Sequence, residues 1–209
     1  MSNVYIYAPR ENSMGYLRII HTVPDAPNVD IYANNQIVVS NLAYGEYTDY
    51  YPIPQGMYII SLYVTGTDSP VTSNMLTVNQ NSILTVAATG TMNDIELFAI
   101  TDANEPKDPG KAMIRFLHLS PNAPAVDITL PDGRTAFKNV SYGQITPYID
   151  VDPMNYTFQV RQTGTFDDIL AEANVNLISD NYFTVYAIGL VDEEPELDAL
   201  LILDGNNRL

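Results

Sequence analysis

The amino-acid sequence predicts an all-β chain built as two tandem β-sandwiches, and three observations predict it. The segment RIIHTVPDAPNVDI beginning at Arg18 returns as RFLHLSPNAPAVDI at Arg115, an offset of 115 − 18 = 97 residues. Stretches of alternating apolar and polar residues, rich in β-branched and aromatic side chains, fill both copies. Turn residues separate these stretches at intervals of about 8–12 residues, the spacing of sandwiches and barrels. Divided by the repeat, the 209 residues give halves of about 100, the size of an immunoglobulin-like Greek-key sandwich. The expected domains are residues 1–105, with the unit starting at about 15, and 106–209, with the unit starting at about 112.

In the first half the alternation marks strands at Tyr16–Thr22, Val29–Ala33, Gln36–Val39, Met57–Thr65, Ser82–Ala88 and Ile95–Ile100. The second half repeats them at Met113–His118, Val126–Leu130, Tyr156–Gln162 and Tyr182–Ile188. Asn34-Asn35, Pro54-Gln55-Gly56 and Pro131-Asp132-Gly133 have the composition of chain reversals. Asp102 to Lys111, rich in Pro, Gly and charge, reads as a short linker stiffened by Pro106 and Pro109. The one helix candidate is Phe166 to Ala173.

Within the repeat, Arg18/Arg115, His21/His118, Pro24/Pro121, Ala26/Ala123, Pro27/Pro124, Val29/Val126, Asp30/Asp127 and Ile31/Ile128 are identical pairs. Identity resumes after a one-residue insertion at Asn41/Asn139, Tyr44/Tyr142, Gly45/Gly143, Thr48/Thr146, Tyr50/Tyr148 and Tyr58/Tyr156. Because side chains alternate along a strand, Leu17, Ile19 and His21 share one face and Arg18, Ile20 and Thr22 the other. Each His then ends an apolar face just before a Pro-x-Ala-Pro turn. The favoured reading is a partly buried imidazole satisfied by backbone groups of that turn, with a catalytic base or metal ligand as the alternative. Asp30 and Asp127 face away from the flanking Val and Ile. They are expected to pair with Arg18 or Arg115 on a neighbouring strand, or to accept backbone N–H bonds from a turn. Residues repeated in both halves are more simply requirements of both folds than one catalytic constellation.

Composition removes several functions. Net charge is −16, from 9 Lys+Arg against 25 Asp+Glu. It divides evenly: 2 basic and 10 acidic residues in 1–105, and 7 basic and 15 acidic in 106–209, leave −8 on each half. Such a chain repels a phosphate backbone, so nucleic acid is not an expected partner. There is no Cys, which excludes disulfides, thiol chemistry and Cys-based zinc sites. Two His and no Gly-x-Ser-x-Gly segment leave a hydrolase elbow or a His-rich metal site without support. No Gly-rich phosphate loop is present, and no cofactor is expected. Asp192, Glu193, Glu194, Glu196 and Asp198 offer oxygen ligands of the kind Ca²⁺ prefers, but not at EF-hand spacing, and read as a solvated loop. Met1 to Glu11 lacks the basic and apolar segments of a signal peptide, and no apolar run approaches the roughly 18 residues of a membrane span. Fifteen Tyr with no Trp is the most unusual feature. Tyr44, Tyr47, Tyr142 and Tyr148 are the candidate binding residues, since a phenol joins an apolar ring to a polar tip; core and strand packing is the competing reading.

The paired Arg-x-x-His-x-x-Pro-x-Ala-Pro-x-Val-Asp-Ile segments, each followed by Asn-x-x-Tyr-Gly, resemble the bacterial family called domain of unknown function 4397, present here as two copies over about 190 residues. The resemblance implies β-sandwich modules, often in tandem, on exported or envelope-associated proteins, and no catalytic or ligand residues. The expectation is therefore a non-enzymatic structural or interaction module of a cell-surface, envelope or spore-coat layer. Its expected partner is a protein or polysaccharide of that layer. A carbohydrate-binding module using exposed Tyr is the alternative.

Overall fold

The computed structural model describes residues 13–103, 108–165 and 168–205. It is all-β, with no α-helix among the described residues. The first half carries β1 (Met14–His21), β2 (Val29–Ala33), β3 (Gln36–Leu42), β4 (Tyr51–Pro54), β5 (Gly56–Val64), β6 (Pro70–Val78), β7 (Ile83–Thr91) and β8 (Asp94–Thr101). The second carries β9 (Ala112–His118), β10 (Val126–Thr129), β11 (Thr135–Val140), β12 (Ile149–Val151), β13 (Asn155–Gln162), β14 (Ile169–Asn176), β15 (Tyr182–Ile188) and β16 (Asp198–Asp204).

Each half is a sandwich of two four-stranded sheets. Sheet orders are β4-β1-β7-β8 over β3-β2-β5-β6 in the first half, and β12-β9-β15-β16 over β11-β10-β13-β14 in the second. β1 runs parallel to β7 and β9 parallel to β15; every other pairing within the sheets is antiparallel. Alternate residues of the two sheets interdigitate, as expected from the strand pattern. Leu17, Ile19, Ile31, Ile60, Leu62 and Val86 are among those closing the first core, and Phe116, Ile128, Phe158, Val160 and Val185 the second.

The turns follow their chemistry. Asn34 and Asn35 both take positive φ, 48° and 65°, and close the β2–β3 hairpin. Pro131-Asp132-Gly133 closes the β10–β11 hairpin, with the Gly133 amide bonding the Leu130 carbonyl at 2.9 Å. Pro54-Gln55-Gly56 instead carries the chain from one sheet to the other, because β4 pairs with β1 whereas β5 pairs with β2 and β6.

Two expectations need correction. Where a helix was expected over Phe166 to Ala173, Ile169–Asn176 is strand β14, paired along β13; Phe166 and Asp167 lie outside the described residues. Leu, Ala and Glu favour helix only weakly, and a partner strand overrides that preference. Asp102, assigned to the linker, is only 4% exposed and belongs to the structure between the halves; Pro106 lies outside the described residues.

A third apolar cluster joins the sandwiches. Ile20, Ala87 and Ile100 of the first half pack with Leu117, Leu119, Tyr186, Ile188 and Ile202 of the second. The far face of β4-β1-β7-β8 thus lies on the far face of β12-β9-β15-β16, and the molecule is a four-layer stack with both inner sheets covered on both sides. This explains why β7, β9 and β15 lose the usual alternation and are buried almost throughout.

Candidate functional site

The strongest concentration of charge inside the molecule lies in that seam. Arg18 projects from β1 on the face opposite Leu17 and Ile19, and Arg115 does the same from β9. Each guanidinium reaches the aspartate that ends the other half. Arg18 Nη2 donates to Asp204 Oδ1 at 2.6 Å, and Arg115 Nη2 donates to Asp102 Oδ1. The four side chains are 0–5% exposed. The two remaining Arg–Asp distances across the cluster are each 3.7 Å.

The surroundings repeat as well. Arg18 Nε donates to Thr85 at 3.0 Å and Nη1 to the Leu203 carbonyl at 2.8 Å; Arg115 Nε donates to Thr184 at 2.8 Å and Nη1 to the Thr101 carbonyl at 2.9 Å. Asp102 accepts from the Thr85 and Tyr50 hydroxyls of its own half, and Asp204 from those of Thr184 and Tyr148. Arg18 stacks over Tyr50 at 4.6 Å and Arg115 over Tyr148 at 4.4 Å. Two cations and two anions close a neutral, fully hydrogen-bonded network, the condition under which buried charge is tolerated.

Electrostatics match this closure. Burial opposes the Arg18 cation, but Tyr186, Asp204, Tyr50 and Asp102 outweigh it and raise its pKa above the ordinary value. Burial, helped by the nearby carboxylates, also raises Tyr50, Tyr148 and Tyr186; Tyr50 and Tyr148 donate to Asp102 and Asp204, and the Tyr186 hydroxyl accepts from Arg18 Nη2 at 3.5 Å. Burial first and Asp204 second push the Asp102 carboxyl up, while Arg18 and Arg115 pull it down. The network is buried but borders a cavity of about 440 Å³, whose lining includes Asp102, Arg115 and Tyr148 together with Phe98, Ile145 and Pro147.

The other repeated residues have structural partners. Asp30 does not pair with Arg18, nor Asp127 with Arg115, because the arginines lie on the inner sheets and face the seam, whereas the aspartates lie on the outer sheets. Asp30 accepts from the Asn41 amide at 2.8 Å and the Thr65 hydroxyl at 2.9 Å; Asp127 accepts from Asn139 at 2.7 Å and Thr163 at 3.0 Å. Asn41 and Asn139 take φ of 56° and 54° beside the irregular β2–β3 and β10–β11 pairings, so each Asp pins a backbone kink. This is the backbone alternative of the expectation.

His21 and His118 are wholly rather than partly buried, each bonded to the turn through Nε2, and His118 Nδ1 has no hydrogen-bond partner among the described residues. Their Nε2 atoms lie 3.2 and 3.0 Å from the Pro27 and Pro124 carbonyls, and His21 Nδ1 accepts the Val23 amide at 3.3 Å. Burial lowers both imidazole pKa values below 6.5, against the hydrogen bonds to Pro27 and Pro124. A group depressed in the folded state keeps its full contribution above its unfolded pKa and loses it as pH falls through the folded value. Stability should therefore decline as pH drops below about 6.5. Urea unfolding at mildly acidic and neutral pH checks this, and the double variant H21Q/H118Q should flatten the profile. Equal wild-type stability at both pH values contradicts it.

Of the four candidate tyrosines, three lie at the seam. Tyr44 stacks edge-on against His21 and packs in the third cluster, with burial first and Asp198 second pushing its pKa up to about 12. Tyr142 stacks edge-on against His118 and meets the Thr89 hydroxyl of the other half at 3.2 Å. Tyr148 belongs to the charged network. Tyr47 is exposed at 36%. The acidic residues Asp192, Glu193, Glu194 and Glu196 line a groove with Ile169, Leu170 and Leu190, and Asp198 opens β16. No group of three or more His or acidic side chains able to hold a metal ion occurs among the described residues. No helix among them is long and apolar enough to cross a membrane.

Residue reasoning missed Asp102, Asp204, Thr85, Thr184 and Tyr186. A signal existed for the aspartates: Ile-Thr-Asp at 100–102 and Ile-Leu-Asp at 202–204 end the two copies alike.

A family model described as "Domain of unknown function (DUF4397)" matches residues 15–129 and 130–209. The break between these segments falls at the end of β10, whereas the sheets divide between β8 and β9. A search of curated proteins finds no match. Among solved structures, the Bacillus anthracis TIE protein aligns at 10% identity and a TM-score of 0.28, over 83% of this chain and 33% of that one. This chain thus spans about a third of that protein's length. The family CBM26 module CBMbc of Eubacterium rectale Amy13K, in complex with maltoheptaose, aligns at 12% identity and a TM-score of 0.26, over 92% and 97% of the two chains. At these scores neither likeness bears on ligand or partner.

Proposed function

The chain belongs to the family described as domain of unknown function DUF4397, and from that premise we propose that it is a non-enzymatic structural or interaction module of a bacterial cell-surface, envelope or spore-coat layer. One observation carries the reading. The residues with the greatest chemical potential, Arg18, Asp102, Arg115 and Asp204, are buried between the halves and bonded to one another. Groups that act on a substrate must be reachable by it and hold unsatisfied capacity. These four have their capacity taken up by one another and by Thr85, Thr184, Tyr50 and Tyr148, even though Asp102 and Arg115 border a cavity, and their arrangement joins two sandwiches into one stiff body suited to bearing contacts on its outer sheets. Tyr44, Tyr142 and Tyr148 are engaged in the same seam, which leaves Tyr47 as the exposed member of the four tyrosines on which the polysaccharide alternative rested.

The test is to mix purified chain with washed envelope or coat material from its host, sediment the mixture, and assay the chain with ester, glycoside and phosphate reporter substrates. The expected result is a chain that pellets with the layer material and turns over no reporter. A chain that stays in the supernatant, or one that hydrolyses a reporter, overturns the reading.

A further inference from the structure

We propose that the outward face of the β3-β2-β5-β6 sheet is the docking surface for a second copy of this chain, face to face about a two-fold axis. The inference goes beyond the surface-layer reading and does not rest on it. Register places Tyr32 opposite Ile37 and Ser61, Ile59 opposite Met75, Met57 opposite Thr77, and Tyr63 opposite Asp30. Tyr32, Ile37, Met57, Ile59, Tyr63 and Met75 therefore share the face turned away from the core, where Tyr32 and Tyr63 lie ring to ring at 4.6 Å. Ile37, Met57, Ile59 and Met75 are 52%, 65%, 56% and 69% exposed.

The second half supplies an internal control. The same registers make Thr129, Thr135, Asn155, Thr157, Arg161 and Asn174 the equivalents of those six residues. All six are polar, and Arg161 is tied to Thr129 and Gln159 on that face. The sandwich thus forms without an apolar outer face, and the apolar character of the first half is not a folding requirement. A contiguous exposed apolar patch of this kind marks an interaction surface.

Three features point to a second copy as the occupant. The face carries one charged group, Asp30, whose carboxylate is already bonded to Asn41 and Thr65, so two such faces meet without burying an unpaired charge. Arg18, the one Lys or Arg among the described residues of the first half, is buried in the seam, so the face offers no salt bridge to an anionic partner. The four strands, seven, five, nine and nine residues long and about 4.8 Å apart, present a projected area of roughly 480 Å² and an accessible area larger than that, against the roughly 800 Å² per partner of a stable interface. The chain also stacks its own equivalent inner sheets face to face. An isologous contact of one apolar face with its copy repeats that arrangement on the opposite side of the sandwich.

Sedimentation equilibrium of the full chain across a concentration series tests this at low and high salt. Wild type should show a monomer–dimer equilibrium that tightens with salt, because salt screens two chains of charge −16 while leaving the apolar contact intact. A contact with a cationic protein would weaken with salt. The double variant I59T/M75N takes the residues that the second half carries at the equivalent positions, and M57N does the same at a third. Each should keep the wild-type thermal midpoint, with the double variant losing about 100-fold or more in dimer affinity. A wild type that stays monomeric at every concentration overturns the proposal, whether the face is bare or meets another protein. So does a folded double variant that dimerises as tightly as wild type.

Discussion

Asp204→Ala should lower the unfolding free energy by about 3–5 kcal/mol, the cost of breaking a buried charge pair from one side. The carboxylate accepts from Arg18, Tyr148 and Thr184, and its own side chain is fully shielded. Without it the Arg18 guanidinium remains in the seam with Thr85, the Leu203 carbonyl and a carboxylate 3.7 Å away. One cation is then uncompensated where water cannot reach it. Asp102→Ala should cost a similar amount through Arg115, since the network repeats across the seam. Replacing both partners, as Arg18→Met with Asp204→Leu, should cost much less than Asp204→Ala alone, because no charge is stranded. Urea unfolding of the singles and the pair checks the pattern. An Asp204→Ala protein within about 1 kcal/mol of wild type, the worth of a solvated ion pair, would show that the cluster is not sealed.

Position 18 also shows how far sequence reasoning reaches. Strand alternation placed Leu17, Ile19 and His21 on one face and Arg18, Ile20 and Thr22 on the other, and the coordinates agree. What alternation cannot supply is which sheet lies above a face. Pairing with Asp30 or Asp127 is therefore one of the alternatives the sequence leaves open for Arg18, whereas its partner Asp204 lies 186 residues away. The clue was the unbroken apolar run of β7 and β15, which marks a strand covered on both sides. The same limit hid several strands. β4 is four residues with two prolines, tolerable only at a sheet edge. β6 begins with Pro and carries Ser73 on its outward face, while Asn74 on the other face donates to the Leu97 carbonyl. β14 is written in helix-favouring residues and is held as strand by its pairing with β13. The candidate tyrosines meet a related limit: a phenol suits an exposed platform and a seam between two sheets equally well, and only the stacking of the halves places Tyr44, Tyr142 and Tyr148 in the seam while Tyr47 stays exposed.

Phe116→Ala should cost about 3–5 kcal/mol, the range for truncating a buried aromatic ring. Phe116 is fully buried in the second core, stacked against Phe137 with ring centroids 6.5 Å apart and edge-on to His118. Its strand β9 is hydrogen-bonded to β12 and β15 on its flanks, so the backbone has little freedom to collapse into the space left behind. The neighbouring Leu117 points the opposite way into the seam and packs with Ile20 of the first half. A cavity at 116 therefore loosens the strand that also carries Arg115 and Leu117, and the damage should reach the first half through those residues. The expected calorimetric trace is one transition shifted to lower temperature, in wild type and variant alike. Two resolved transitions in the variant, with the upper one at the wild-type temperature, would mean that the halves unfold independently and that the seam couples them less than its burial and bonding imply.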